Sequence, residues 1–311
     1  MKFSTDSYIE IGNSHNICED YALNGIIDGK VPYIIVSDGC SSSKMTDFGS
    51  RIIAHSCRKM LITSYTNGVM KELIDKNTGH DFQTYLATTI KHTAMETLER
   101  FNLCYDVCDA TLLYAIVFND RIYVFGHGDG NVIIKFKNFD KIRWDNLKYM
   151  SNAPFYLSYE MDILRKQGYM DTFGEQYFDV LINVITDAHQ NISIPQDPLN
   201  NYSTAHGNYK PTTPYWYRVD AEGIQSITLS SDGMESFSHS HKRLCETPAP
   251  SKEEIEGLKP INIMRRMVEY KNFNGEFVKR RMKRMKQEVE KIQGEHFDDV
   301  SCATIWIDHG K

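Results

Sequence analysis

The sequence predicts an α+β chain in which groups of strands are separated by helices. Three observations carry this reading. Apolar runs of strand type end abruptly in Asp-Gly at Val31–Gly39, Phe125–Gly130 and Ile227–Gly233. Two long stretches with helical periodicity lie between the first of these runs and the second. An amphipathic helix followed by an apolar strand closes the chain.

Tyr8–Gly12 alternates as a short strand, and Asn13–Asp20 reads as a turn. Tyr21–Ile27 and Val31–Ser37 form a hairpin through Asp28-Gly29, a strong turn signal. A polar loop, Ser41–Asp47, precedes a helix starting near Phe48, with Phe48, Ile52, Ser56, Lys59 and Met60 roughly on one face. Asn67-Gly68 is a good stop for it. Phe82–Phe101 is a second helix, with Phe82, Leu86, Ile90, Ala94, Leu98 and Phe101 on one stripe. Ala110–Phe118 is almost wholly apolar, as expected of a central strand covered on both faces. Arg121–Phe125 and Asn131–Phe136 then complete a meander.

From Lys137 to Gly223 the pattern loosens, so residues from about 140 to 220 read as a loop-rich excursion. Phe178–Ile185 is its one clear strand, and Asn191–Pro214 reads as loop. Ile224–Ser230 is the next strand, with a helix beginning at Met234–Phe237. Phe277–Ile292 is a long helix with Val278, Met282, Met285, Val289 and Ile292 on its apolar stripe. Its other side carries Lys279, Arg280, Arg281, Lys283, Arg284 and Lys286, read as a solvated face. Cys302–Ile307 is the final strand. Repeats and linkers are not evident, so residues 1–311 read as one domain.

Bulk properties narrow the function. A hydrophobic fraction of 41% over 311 residues supports a sizeable core. A net charge of −6 argues against a dedicated nucleic-acid binder. A membrane span would need a run of roughly 18 apolar residues, and the sequence has none. The N-terminus lacks the apolar segment of a secretory signal. Seven cysteines without regular spacing fit a reduced, cytoplasmic chain. Cys104 and Cys108 have no matching second pair, so they read as packed thiols instead of a zinc site.

What remains distinctive is acidic. Asp38, Asp129 and Asp232 each stand before a glycine at the end of an apolar run, and Asp298-Asp299 stand at the start of one. One such carboxylate is ordinary. Several together suggest a cluster of hard oxygen ligands, suited to magnesium or manganese.

Their order along the chain resembles that of the metal-dependent, protein phosphatase 2C-like serine/threonine phosphatases. The resemblance is carried by Glu19-Asp20, Ser37-Asp38-Gly39, Asp109-Ala-Thr, Gly128-Asp129-Gly130, Ser231-Asp232-Gly233 and Asp298-Asp299-Val-Ser301. The opening Gly12-Asn-Ser-His15 with Cys18-Glu-Asp20 is similar to the bacterial-type branch. The resemblance implies a four-layer α-β-β-α sandwich: two antiparallel sheets flanked by helices, with a site holding two or three Mn2+ or Mg2+ ions at the sheet edges. By position, Asp38 would bridge two ions, with the Gly39 carbonyl completing one shell. Asp232 and Asp298 would hold the first ion, Glu19 and Asp20 would hold waters on the second, and Asp129 would hold a third. Such a pair of ions lowers the pKa of a shared water, which attacks phosphorus in line.

Three departures from the family pattern follow. The usual histidine after the first Asp-Gly is replaced by Cys40 and serines, so His15 becomes the candidate general acid. The arginine that precedes Glu-Asp in eukaryotic members is missing, leaving Arg51 or a backbone amide to bind phosphate. Asp299 replaces an asparagine, which would make the metal shell more acidic. A cysteine phosphatase is excluded around Cys40, where the Cys-x5-Arg pattern is absent. The expected activity is hydrolysis of phosphoserine or phosphothreonine in proteins. The partners would be a phosphorylated protein and its cognate kinase system, with no nucleic acid or membrane. One alternative is a phosphatase-like regulatory binding module, although such a module has no reason to keep the acidic set. The other is a metal-dependent hydrolase of small phosphoesters or nucleotides.

Overall fold

The computed structural model describes residues 1–75, 79–137, 141–149, 151–174, 178–185, 215–245 and 249–310. In chain order the strands and helices are β1 (Lys2–Glu10), β2 (Tyr21–Ile27), β3 (Val31–Ser37), α1 (Thr46–Thr66), α2 (Val69–Asp75), α3 (Gly79–Phe101), β4 (Leu112–Phe118), β5 (Arg121–His127), β6 (Gly130–Phe136) and β7 (Ile142–Tyr149). There follow α4 (Ile163–Phe173), β8 (Phe178–Ile185), β9 (Tyr215–Asp220), β10 (Ile224–Ser230), β11 (Phe237–His239), α5 (His241–Leu244), α6 (Lys252–Gly257), α7 (Pro260–Met267), α8 (Phe277–Lys291), β12 (Gly294–His296) and β13 (Val300–Asp308).

Two antiparallel sheets carry the molecule, one in the order β1-β13-β10-β6-β7-β8 and the other β2-β3-β4-β5-β9. Period-two alternation sets the layers. In β3, Val31, Tyr33 and Ile35 face the α1–α3 side, while Ile34 and Val36 face the other sheet. β4 repeats this, with Leu112, Tyr114 and Ile116 against the helices and Leu113, Ala115 and Val117 between the sheets. From the six-stranded sheet, Ile227, Leu229, Ala303 and Ile305 fill the same inter-sheet core. Its outer face presents Ile133, Trp144, Val300 and Cys302 to Ile263, Met264 and Met267 of α7 and Val278, Met282, Met285 and Val289 of α8. The result is the α-β-β-α sandwich. Asp6 of β1 fixes the start of α8 by accepting from the Val278 amide at 2.6 Å, where a helix N-terminus favours a carboxylate.

Several elements follow the sequence closely. The β2–β3 hairpin turns through Asp28 and Gly29, both at positive φ (49° and 67°), as a turn matched to strand twist requires. α1 ends at Thr66, with Asn67 as its C-cap ahead of Gly68 in the left-handed region. Other elements differ from the expectation. α1 begins at Thr46, not Phe48, and Lys59 is exposed although its spacing sets it roughly on the face of Ile52, Ser56 and Met60. Phe101, placed on the α3 stripe, is 62% exposed at the helix end. β1 starts at Lys2, because pairing along the whole of β13 extends it.

β4, β5 and β6 do not form a meander. β4 pairs with β5 in one sheet, whereas β6 lies in the other between β10 and β7. The chain crosses between sheets at Gly128-Asp129-Gly130, with both glycines at positive φ. The tight turn thus delivers Asp129 to the sheet edge.

Met234–Phe237 does not open a helix. A 3-10 turn over Asp232–Glu235 leads straight into β11, which pairs with β12. Gly233 lies so close to the Asp299 carbonyl that a Cβ would stand 1.7 Å from it, and the paired backbone leaves no room for a helical cylinder. The basic face of α8 is interrupted, because Arg281 is buried and donates to the Arg266 carbonyl and to Glu288.

Within the 140–220 stretch, β7 is an interior strand, β8 its edge neighbour, and β9 the edge of the second sheet. Asn191–Pro214 lies outside the described residues. β7 escapes pattern reading because Arg143 and Asp145 face the inter-sheet core. They are tolerated there as a bidentate pair (2.7 and 2.9 Å), with the Tyr215 hydroxyl donating to Asp145. Among the described residues, no helix is long and apolar enough to cross a membrane.

Gly49 offers a test of this close packing. A Cβ there would stand 1.6 Å from the Val107 carbonyl oxygen, forcing α1 away from the segment that leads into β4. Gly49→Ala is expected to lower the unfolding free energy by about 2 kcal/mol or more, measured by urea titration. Gly168→Ala in α4 has open space around it and should be neutral or stabilising by up to about 1 kcal/mol.

Candidate active site

The end of β3 is held by a segment that approaches it from the other side of the chain. The Thr111 amide donates to the Asp38 carbonyl at 2.8 Å, and the Asp38 amide donates to Thr111 Oγ1 at 3.0 Å. Ser37 Oγ donates to the Thr111 carbonyl, and the Cys40 amide to the Asp109 carbonyl. Gly39 and Ala110 form an isolated bridge. The Asp109 carboxylate turns away from this junction. It receives Arg165 Nη2 at 2.8 and 2.7 Å, Ser43 Oγ at 2.8 Å and Ser158 Oγ at 2.5 Å. Asp109 thereby ties α4 to the loop that follows Asp38, and it takes no part in the acidic cluster.

A second clamp organises the opening turn. Asp299 is buried, and its two oxygens accept from the Gly12 amide (2.8 Å) and the Glu19 amide (2.6 Å). Gly12 has no room for a side chain, since a Cβ would lie 2.3 Å from the Asp298 carbonyl carbon. Asp299 therefore holds the turn, and its charge also reaches the cluster, where it acts to raise Asp20 and Asp298. An asparagine would offer one acceptor oxygen where this turn uses two. Glu19 is fixed further by Thr46 at the start of α1, whose hydroxyl donates to it at 2.7 Å.

Between these clamps the carboxylates meet. Asp20 is 1% exposed, and its Oδ2 has no hydrogen-bond partner. Burial raises its pKa to about 7, against the lowering effect of the neighbouring Ser231 and Ser301 hydroxyls. Asp38 lies within hydrogen-bonding reach of Asp20 and Asp232. Burial, and then repulsion from Asp20, Asp232 and Asp129, lifts it well above the carboxylate range. Asp129 is pushed up to about 8 by burial and by Asp232. Asp298 is raised by burial and by Asp232. The structure thus brings Asp20, Asp38, Asp129, Asp232 and Asp298 to one place, with Glu19 and Gly39 beside them.

These groups fit divalent cations. The donors are all oxygen, they repel one another, and one buried carboxylate oxygen is orphaned. Cations among them would relieve the repulsion and satisfy the orphaned oxygen. His15, Glu19 and Asp299 also bring one ligand atom each within 4.8 Å of the others. In that group each Asp299 oxygen also accepts one backbone amide.

His15 stands between two carboxylates, with Nδ1 3.0 Å from Asp299 Oδ2 and Nε2 3.3 Å from Asp298 Oδ1. Burial lowers its pKa, but Asp299, Asp298 and Glu19 outweigh burial and the net shift is upward. Arg51 donates to the Asp47 carbonyl and pairs with its carboxylate at 3.5 Å, with the guanidinium over the Tyr21 ring. Cys40, Cys104 and Cys108 are free thiols.

Three neighbours of the site escaped sequence reading. Tyr156 reaches Cys40 with its hydroxyl and lies near Asp38 and Asp129. Lys148 and Glu235 line a cleft of about 250 Å³ together with Asp129, Asp232 and Asp298. Tyr156 and Lys148 come from the 140–220 stretch, where no sequence signal marked them. Glu235, three residues after Asp232 in a tight turn, was the one within reach of inspection.

Comparison with known proteins agrees with this fold. No curated sequence is significantly similar to the chain. A bacterial serine phosphatase superposes with a TM-score of 0.53 at 13% identity, covering 99% of this chain and 98% of that one. The serine/threonine phosphatase Stp1 from Staphylococcus aureus gives 0.51 at 11% identity, covering 99% and 96%. At such identities the likeness concerns the fold. The family model described as protein phosphatase 2C matches residues 12–256, most of the chain, and this chain belongs to that family.

Proposed function

We propose that the chain, acting as one domain, is a metal-dependent phosphomonoester hydrolase for phosphoserine and phosphothreonine in proteins. The observation that carries this reading is the oxygen-only cluster of Asp20, Asp38, Asp129, Asp232 and Asp298 at strand ends of both sheets. Asp38, at the centre of that cluster, would touch two Mn2+ or Mg2+ ions, with the Gly39 carbonyl beside it. Asp232 and Asp298 would hold the first ion, and Glu19 and Asp20 would orient waters on the second. Asp129 would serve a third. When bound, such ions supply a nucleophilic water near neutral pH and neutralise charge on the phosphoryl oxygens. The similar structures named serine and serine/threonine phosphatases support the choice of substrate class. A phosphorylated protein and its kinase system are then the partners, and the cytoplasm the compartment.

The chain's own contribution is to keep these carboxylates in place. Asp299 and Thr111 anchor the two segments that present Glu19-Asp20 and Asp38. Position favours His15 as the proton donor to the leaving alkoxide, since it borders the cluster. Its contacts with Asp298 and Asp299 equally suit a group that positions Asp298.

Hydrolysis of p-nitrophenyl phosphate should require manganese or magnesium and be abolished by EDTA. Asp38→Asn and Asp232→Asn should each lower kcat by orders of magnitude. Full turnover after metal stripping, or wild-type turnover in either variant, would overturn the reading.

The pKa shifts set a second test. Asp20 and Asp129 have folded-state values raised to about 7 and about 8, above those of the unfolded chain. Their protonated forms therefore favour the fold at low pH, and that contribution is lost as pH rises through these values. The Tm of metal-free protein should fall between about pH 5 and pH 8. Manganese should raise the Tm most at the upper end. A metal-free Tm that climbs steadily over this range would contradict the crowded cluster.

His15 is tested by leaving group. As the acid, His15→Gln should cut phosphopeptide turnover about 10²-fold and p-nitrophenyl phosphate turnover far less, because p-nitrophenolate departs without a proton. Equal losses would instead assign His15 to positioning Asp298.

A further inference from the structure

We infer that Lys148 of β7 is the cation that receives the phosphoryl oxygens of the substrate. The inference rests on the phosphoester-hydrolase reading above and names a residue that sequence order does not reveal. Among the described residues lining the cleft beside Asp129, Asp232 and Asp298, Lys148 is the one cation.

The lysine is aimed. Its Nζ donates to Glu235 Oε2 at 2.7 Å, and the other Glu235 oxygen accepts from Asn146 Nδ2 at 2.6 Å. Asn146 is anchored in turn to Asn131 Oδ1 at 2.7 Å. Glu235 belongs to the same 3-10 turn as Asp232, so the lysine is fixed to the element that presents a proposed metal ligand. The Lys148 side chain is 52% exposed and that of Glu235 18%, so the ammonium reaches the open cleft over a mostly covered carboxylate. An ammonium has three donors, and Glu235 takes one.

An ordinary solvated ion pair would account for the 2.7 Å contact alone. It would not account for the electrostatic need. Unless a third cation sits at Asp129, the six carboxylates proposed here as ligands (Glu19, Asp20, Asp38, Asp129, Asp232 and Asp298) carry two charges more than two divalent cations neutralise. A phosphate dianion entering the cleft would meet residual negative charge unless another cation faced it. Arg51 pairs with Asp47, and Arg165 Nη2 with Asp109, while Arg165 Nη1 is buried without a partner and does not line this cleft.

The test is calorimetric titration of inorganic phosphate into the manganese-loaded protein, beside steady-state kinetics on p-nitrophenyl phosphate. Lys148→Met should weaken phosphate binding about tenfold or more, as expected for loss of a charge-assisted contact, and raise KM by a similar factor. Lys148→Arg should recover most of the affinity. Glu235→Gln should bind phosphate as well as wild type or better, since a competing carboxylate charge is removed. Manganese affinity should be unchanged in both lysine variants. Lys148→Gln replaces the Met variant if that one fails to fold. Phosphate affinity and KM left unchanged by loss of the lysine, in an active wild-type background, would overturn the assignment alone. A manganese-loaded wild type that neither hydrolyses the ester nor binds phosphate would overturn the phosphatase reading, and the assignment with it.

Discussion

The mutual repulsion of closely placed carboxylates governs this structure. Asp20, Asp38 and Asp129 crowd together with Asp232 and Asp298 where both sheets end, and in the absence of cations the ionised forms of the first three disfavour the fold. Nothing in a hydrophobic core would gather them. They are brought there by backbone restraints fixed elsewhere: the bridge at Gly39, the crossing at Gly128–Gly130 and the contact of Gly233 with Asp299. The surrounding layers hold the site under this strain, which buried apolar contacts on both faces of both sheets offset.

Two carboxylates in motif positions act on the backbone instead of the site. Asp299 spends both oxygens on the amides of Gly12 and Glu19, and so sets the path of the turn that carries His15, Glu19 and Asp20. Asp109 gathers Arg165, Ser43 and Ser158, joining α4 to the loop behind Asp38. These are the buried, fully hydrogen-bonded acids, whereas the unsatisfied Asp20 belongs to the cluster. Satisfaction of hydrogen bonds separates scaffold from site more sharply than position in a motif does.

The sheet-edge cleft also depends on β7. Its inward-facing Arg143 and Asp145 are tolerable because they satisfy each other and Tyr215. The same strand then continues to Lys148 at the cleft. A strand that breaks the apolar pattern in its middle thus delivers a cation to an otherwise acidic wall.

The sequence by itself determined the strands whose two faces are both apolar, the hairpin at Asp28-Gly29, the amphipathic helices and the identity of the clustered acids. The first three depend on local periodicity and on residues such as glycine whose conformational range is their own, whereas the full acidic set, Glu19 and Asp20 above all, was marked by the resemblance to the protein phosphatase 2C-like motif order. A capping box at Ser251 and Glu254, and Pro260 at a helix start, were also legible signals for α6 and α7, though they lay in a stretch assigned no element. Tertiary structure alone decided which sheet β6 joins, that Asp232–Glu235 forms a tight turn, and that Arg281 points inward. It also decided that Asp299 and Asp109 serve the backbone and that Lys148 faces the acids. Each of these depends on a partner distant in sequence, and alternation along one strand cannot say what stands opposite it.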